Sequence, residues 1–224
     1  ISVADTKFTD AAGNTNADGS DANNTETITV DTERPTIALS SSAANLKAGE
    51  TATITFTISE SVSDFVIGDI TVSGGTLGSF VAVSGTSYTV VFTPTASSTA
   101  NGVISVADTK FTDAAGNTNA DSGDADNTKT ITVDTRRPTI AITSDVSSLK
   151  AGETATITFT ISESVTDFAL GDIVTSGGNL GSLSGSGTSY TSVFTPDANS
   201  NVNGVISVAD TKFTDAAGNT NADS

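Results

Sequence analysis

The chain contains no cysteine, no histidine, no methionine and no tryptophan. Without cysteine there is no disulfide framework, although that alone does not assign a compartment. Without histidine the commonest general base and the commonest zinc ligand are missing. Bases are scarce as well: 9 Lys and Arg stand against 26 Asp and Glu, a formal net charge of −17 over 224 residues. This balance argues against nucleic acid and against membrane insertion or anionic membrane surfaces as partners, because both surfaces need a basic footprint. It fits plain solubility or a hard cation held by oxygen ligands. No apolar run approaches the ~18 residues that a bilayer span requires. No signal peptide opens the sequence, which starts in mid-repeat.

What the chain does have is repetition. Eighteen residues, Ile104-Ser-Val-Ala-Asp-Thr-Lys-Phe-Thr-Asp-Ala-Ala-Gly-Asn-Thr-Asn-Ala-Asp121, occur identically from Ile1, from Ile104 and from Ile206. The starts are 103 and 102 residues apart. The linker Asp31-Thr-Glu-Arg-Pro35 returns as Asp134-Thr-Arg-Arg-Pro138 at the same period. Such periodicity predicts an array of one module. The expected division is residues 1–33, the tail of a preceding module; 34–135, a complete module; and 136–224, a module without its last strand.

Within the complete module, alternation of period two dominates. Thr51 to Ser59 is the clearest case, with Ala52, Ile54, Phe56 and Ile58 on one face and threonines on the other. β-Branched threonine suits the solvated side of a pleated sheet. Further strands are expected at Thr36 to Leu39, Phe65 to Ile67, Ile70 to Ser73, Leu77 to Val83, Ser87 to Thr93, Val103 to Ala107 and Lys129 to Val133. In the tail fragment, Ile1 to Ala4 and Thr25 to Val30 read as strands. Turn signals separate these runs, and no helical periodicity of useful length intervenes. Short strands of this number and spacing predict an all-β fold of tandem Greek-key β-sandwiches. The last module ends before any counterpart of Lys129 to Val133. Two arrangements account for that: the strand lies in further residues of a longer chain, which is the ordinary case, or Thr25 to Val30 of another molecule docks there as a donor strand.

Several motifs recur in fixed order: Val133-Asp-Thr-Arg-Arg-Pro-Thr139, Leu46-Lys-Ala-Gly-Glu-Thr51, Ile58-Ser-Glu-Ser-Val62, Gly68-Asp-Ile-Thr-Val-Ser-Gly-Gly75, Tyr88 to Pro94, and Asp113-Ala-Ala-Gly-Asn117. Together they resemble the bacterial immunoglobulin-like repeats of large surface adhesins, including biofilm and RTX-type adhesins. The resemblance implies immunoglobulin-like sandwiches, an extracellular place on a bacterial surface, and a role as extender between an anchor and terminal ligand-binding domains. It also implies Ca²⁺ at or near the linkers and adjacent repeats as immediate partners. The chain departs from antibody-type domains in lacking the cysteine pair and the tryptophan, so its core rests on Ile, Val, Leu and Phe.

The acids carry an argument of their own. In a sandwich of this connectivity, the loops at the chain's entry end hold Glu60, Asp64, Asp108, Asp113 and Asn117, and the linker brings Asp31 to the same end. The next module offers Asp134, Glu163, Asp167, Asp210, Asp215 and Asn219. Converging carboxylates at roughly 4 Å repel by a few kcal/mol per pair at an effective dielectric near 20. A divalent ion taking six to eight oxygens removes that repulsion, and without Cys or His the donor set points away from zinc and copper. An ion bridging linker and loops would turn a flexible joint into a fixed angle. Beside this stands the ordinary reading: Asp and Asn are common turn residues. On that reading Asp69 and Asp172 cap turns, Asp121 to Asn127 and the Asn14 and Asp18 region form a solvated acidic loop, Arg136 and Arg137 are a solvated linker face, and Tyr88 and Tyr190 belong to the core.

Two other functions compete. A module gripping protein or carbohydrate would want exposed aromatics and varied loops; this chain has two Tyr and near-identical loops. An enzyme would have only a carboxylate pair or an unaided Ser to work with, in a repeat uninterrupted by pocket-building insertions, so a non-enzymatic role is expected.

Overall fold

The computed structural model describes residues 1–17, 21–121 and 124–223. Residues 31 to 134 form a sandwich of eight strands: β1 (Ile37–Ser41), β2 (Asn45–Lys47), β3 (Ala52–Ile58), β4 (Ile70–Ser73), β5 (Gly75–Ser84), β6 (Ser87–Pro94), β7 (Gly102–Val106) and β8 (Thr128–Asp134). One sheet has the order β1-β3-β6-β5 and the other β2-β8-β7-β4. All pairs are antiparallel except β2 with β8, which is parallel. This is the immunoglobulin-like Greek-key arrangement of one four-stranded sheet against the sheet that carries the last strand. The alternation in β3 appears as burial: Ala52, Ile54, Phe56 and Ile58 face inward and the intervening threonines outward.

The core joins both sheets through Ile54, Phe56, Val90, Phe92, Ile104 and Ile131, all at most 1% exposed. Phe65 is its aromatic hub. Its ring lies 5.1–5.4 Å from those of Phe56, Tyr88 and Phe111 in edge-on geometry, the arrangement that the ring quadrupole favours. Phe111 belongs to the repeated eighteen residues, so the acidic loop is bolted to the core by its own aromatic. Tyr88 is buried and its hydroxyl donates to the Val62 carbonyl at 2.9 Å.

The second module repeats the plan with β9 (Ile140–Ser144), β10 (Ala155–Val165), β11 (Ile173–Ser176), β12 (Gly178–Leu180), β13 (Ser184–Pro196) and β14 (Val205–Val208). Its sheets are β12-β13-β10-β9 and the pair β11-β14. Phe168 takes the place of Phe65, with Phe159, Tyr190 and Phe213 around it.

Four sequence expectations need correction. Phe65 to Ile67 is no strand: Phe65 turns inward and Ile67–Asp69 is a short 3₁₀ turn. Asn45–Lys47, unmarked by any alternation, is a strand because the parallel edge of β8 offers it a partner. Ile1 to Ala4 contributes only an isolated bridge, Ser2 to Thr25. Thr25 to Val30 has the right alternation but is not a half-buried strand; Ile28 and Val30 are 64% and 73% exposed. The counterpart of Thr25 to Val30 in the complete module, β8, is held by β7 and β2, and residues 1–17 and 21–30 supply no such sheet.

The Phe92 ring covers two glycines. A Cβ on Gly102 would lie 2.4 Å from Phe92 Cζ, and one on Gly75 would lie 2.6 Å from its Cε2. Gly102→Ala therefore overpacks the core. Denaturant unfolding is expected to show the first module destabilised by about 1–3 kcal/mol, with the second module's transition unmoved.

Candidate functional site: carboxylates at the module junctions

In both sandwiches the repeated loop is built around a buried asparagine. Asn119 is fully buried; its Oδ1 accepts from the Lys110 and Phe111 backbone N–H groups at 2.6 and 3.2 Å, and its Nδ2 donates to the Ala107 carbonyl and to Asp121 Oδ2. Asp121 in turn accepts from the Ile37 N–H at 2.7 Å, tying β1 to the loop. Asp113 Oδ1 accepts from the Ala115 and Asn117 N–H groups, and its Oδ2 accepts from Asn117 Nδ2 at 2.7 Å. Gly116 sits at φ +91°, the left-handed turn that closes this loop. Asn221 and Asp215 repeat the arrangement in the second module.

These loops bring carboxylates from three chain segments together twice. One oxygen from each of Asp31, Glu60 and Asp113 lies within 4.8 Å of the other two, and the same holds for Asp134, Glu163 and Asp215. The linker acid is held in place by the loop asparagine: Asn117 Nδ2 donates to the Asp31 carbonyl at 3.2 Å, and Asn219 Nδ2 to the Asp134 carbonyl at 2.9 Å. At the second junction the preceding module joins in. The Ala48 N–H donates to Asn219 Oδ1 at 2.7 Å and Lys47 Nζ to the Gly218 carbonyl at 3.3 Å. Arg137 pins the linker through Thr220.

The other acids singled out in the sequence stand apart from these clusters. Asp64 accepts from the Thr112 N–H and hydroxyl, and Asp167 does the same for Thr214. Asp108 accepts from the Asp121 N–H and Asp210 from the Asp223 N–H. Asn117 and Asn219 turn their amide nitrogens toward the carboxylates. Asp69 and Asp172 cap their turns by accepting from the Val66 and Ala169 N–H groups.

The clustered carboxylates perturb one another. Burial pushes the Glu163 carboxyl above its ordinary value; Asp215 and Asp134 add to the effect, and Arg136 opposes it. Glu60 is raised by desolvation, then by Asp113, Asp31 and Glu33. Asp113 moves the other way, chiefly because the Asn117 side chain donates to it. Glu163 Oε1 is buried with no hydrogen-bond partner. An unpartnered carboxylate oxygen beside two further carboxylates, in a chain without His or Cys, fits a hard divalent cation.

Residues 31–131 and 134–224 each match the family model for the bacterial Ig-like domain. The chain belongs to that family. Among solved structures, this Ig-like pair is similar to the Escherichia coli adhesin FdeC, with 17% identity over 71% of this chain and 55% of that one at a TM-score of 0.42. It is also similar to the Yersinia pseudotuberculosis adhesin InvE, with 19% identity over 70% and 50% at a TM-score of 0.34. The chain thus spans about half the length of these structures. No curated protein sequence matches it. Among the described residues no helix is long and apolar enough to cross a membrane, which says nothing of β-barrels.

Sequence reasoning missed Asn119 and Asn221, and it placed Asp121 in a solvated loop where the structure buries it at 2% exposure. Asp18 lies outside the described residues. A buried Asn reads like a turn Asn by composition; only its identical spacing behind Lys-Phe in all three copies hinted at a fixed partner.

A carboxyl whose folded pKa is raised adds stability below its unfolded pKa and loses it as pH climbs through the folded value. Ionised Glu163 therefore opposes folding at neutral pH in the absence of divalent ions. In chelator-treated Ig-like protein, Glu163→Gln is expected to raise the melting temperature near neutral pH and to leave it unchanged below the ordinary glutamate range. A lower neutral-pH melting temperature would show that the ionised group is held rather than strained.

Proposed function

We propose that these repeats are structural extenders of a bacterial cell-surface adhesin, stiffened by Ca²⁺ at or near their linkers. The observation that carries this reading is the convergence, at both junctions, of a linker aspartate with a glutamate and an aspartate from the following module. Asp31, Glu60 and Asp113 would hold one ion and Asp134, Glu163 and Asp215 another. Bound there, the ion supplies positive charge that cancels carboxylate repulsion. The chain's own contribution is to fix the acids: Asn117 and Asn219 orient the linker backbone, and the loop N–H groups hold Asp113 and Asp215. A linker tied to its loop loses bending freedom, and an array of such joints keeps its length. The identical loops of successive copies suit repetition of one joint.

The test is a Ca²⁺ titration of stripped protein. Ion binding to the folded state alone raises stability by about 2.7 kcal/mol when free ion is about a hundred times Kd. The wild type should melt higher with Ca²⁺, and small-angle scattering of its monomer fraction should show a longer, narrower particle. Asp134→Ala should reduce both responses while each module stays folded. A melting curve indifferent to millimolar Ca²⁺ would overturn the ion, and equal maximum dimensions for both proteins would overturn the stiffening.

A further inference from the structure

The linker between the two sandwiches is pinned on both sides of a single residue. Thr135 is buried against the first module: its hydroxyl donates to the Thr95 carbonyl at 2.7 Å and accepts from the Ser98 N–H at 3.0 Å. Arg137 is tied to the second module: its Nη1 donates to Thr220 Oγ1 at 2.8 Å, and the neighbouring Pro138 carbonyl accepts from the Ala222 N–H. Arg136 lies between these anchors. One residue still carries two soft dihedrals. The anchors alone therefore leave the modules free to swing, and the contacts that cross the joint decide its angle.

Two hydrogen bonds from the turn after β2 cross it. Lys47 to Glu50 form a type II turn: the Glu50 N–H donates to the Lys47 carbonyl at 3.1 Å, Gly49 sits at φ +83°, and Ala48 is not among the left-handed residues. The Ala48 N–H points out of the turn and donates to Asn219 Oδ1 at 2.7 Å. The Asn219 amide is then fully engaged, since its Nδ2 donates to the Asp134 carbonyl at 2.9 Å and to Asp215 Oδ2 at 2.8 Å. A donor facing Oδ1 and two acceptors facing Nδ2 fix which way round the amide lies. Lys47 supplies the second bond, from Nζ to the Gly218 carbonyl at 3.3 Å. The same four residues recur as Lys150 to Glu153. In both turns the lysine N–H donates to the glutamate Oε2 at 3.1 Å, but Lys150 Nζ pairs with Glu153, also at 3.1 Å. The ammonium group thus has two homes, its own turn or the neighbouring module, and Lys47 takes the second.

We propose that the Lys47 to Glu50 turn is a receptor for the Asp215 to Asn219 loop of the following module, and that Asn219 latches the joint through its side-chain oxygen instead of offering that oxygen to an ion. Asn219 is among the oxygen ligands expected from the sequence. The geometry gives its Oδ1 to the backbone of the other module and leaves the carboxylates of Asp134, Glu163 and Asp215 as the groups an ion would meet. One amide thereby ties three segments: the linker through the Asp134 carbonyl, its own loop through Asp215, and the first module through Ala48. It spans Arg136 and sets the angle there by neutral hydrogen bonds. The receptor reads backbone geometry. It requires an outward N–H at the second turn position and a residue free to take a left-handed φ at the third, which Ala48 and Gly49 supply. The latch shares the junction with the ion proposed above but does not rest on it. An ion would add charge neutralisation to an angle already set.

Nuclear magnetic resonance of the full 224-residue chain in chelator tests this. Residual dipolar couplings of the two modules are expected to fit one alignment tensor. The Ala48 amide is expected to exchange about tenfold more slowly than that of Ala151, its counterpart in the second module. Ala48→Pro removes the donor and keeps the turn, because proline suits the second position of a type II turn. The modules of that variant should align with magnitudes about twofold apart, whereas Ala151→Pro should keep the single tensor. Wild-type modules that align independently would overturn the latch, as would an Ala48→Pro variant coupled as tightly as the wild type. So would an Ala48 amide that exchanges as fast as that of Ala151, a comparison that needs no variant to fold. Millimolar Ca²⁺ then separates latch from ligand. Ala48 exchange that is unchanged or slower keeps Asn219 Oδ1 on the turn; exchange accelerated to the Ala151 rate would show that the ion had taken that oxygen and would overturn the assignment.

Discussion

The junctions depend on buried amides. A carboxylate beside two others would ordinarily swing into water, where repulsion between exposed charges is weak. Asp113 and Asp215 do not, because backbone N–H groups and an asparagine amide occupy both of their oxygens. Asn119 and Asn221, fully buried, fix the backbone that presents those N–H groups. A buried amide with its donors and acceptors satisfied rigidifies its surroundings, and the same amide unsatisfied would cost about 1–3 kcal/mol. The acid's position is thus set by neutral hydrogen bonding, and the charge concentration follows from it.

The tail fragment shows how local this instruction is. Asn16 accepts from the Lys7 and Phe8 N–H groups, and Asp10 accepts from Ala12 and Asn14, as in the complete modules. Yet Phe8 is 60% exposed where Phe111 is sealed, since no sandwich surrounds it. The loop keeps its internal bonds without a core; only its attachment to the core is lost.

This division also marks how far the sequence could be read. Period-two alternation revealed β3 and β6, because a half-buried strand must sort its side chains by face. The repeat length gave the period at which the strands recur, and the structure brings Asp31 within 4.8 Å of Glu60 and Asp113, and Asp134 within 4.8 Å of Glu163 and Asp215. What stayed hidden depended on partners far along the chain. β2 exists through β8, some 87 residues away, and Asp121 is buried because it accepts from Ile37, 84 residues away. Thr25 to Val30 failed as a strand for the converse reason: its alternation is intact, but a strand is a relation between two segments. Asp64 and Asp108 carry the same charge as Asp113, but they stand outside the three-carboxylate group, Asp64 held by Thr112 and Asp108 by the Asp121 N–H.

The same long-range pairing decides how an array of these modules would bear load. Tension enters a module through the linker before β1 and leaves through the linker after β8. β2 follows β1 after three residues, and it lies parallel to β8, with Asn45 to Lys47 against Thr132 to Asp134. Pulling the two linkers apart drags β2 and β8 in opposite directions along their shared axis. Their hydrogen bonds are then sheared together, whereas peeling from a hairpin end would break them one at a time. Asp134 belongs to both devices, being the last residue of β8 and a member of the junction cluster. An ion held at that cluster, as proposed, would therefore also act on the end of the strand that is loaded in shear.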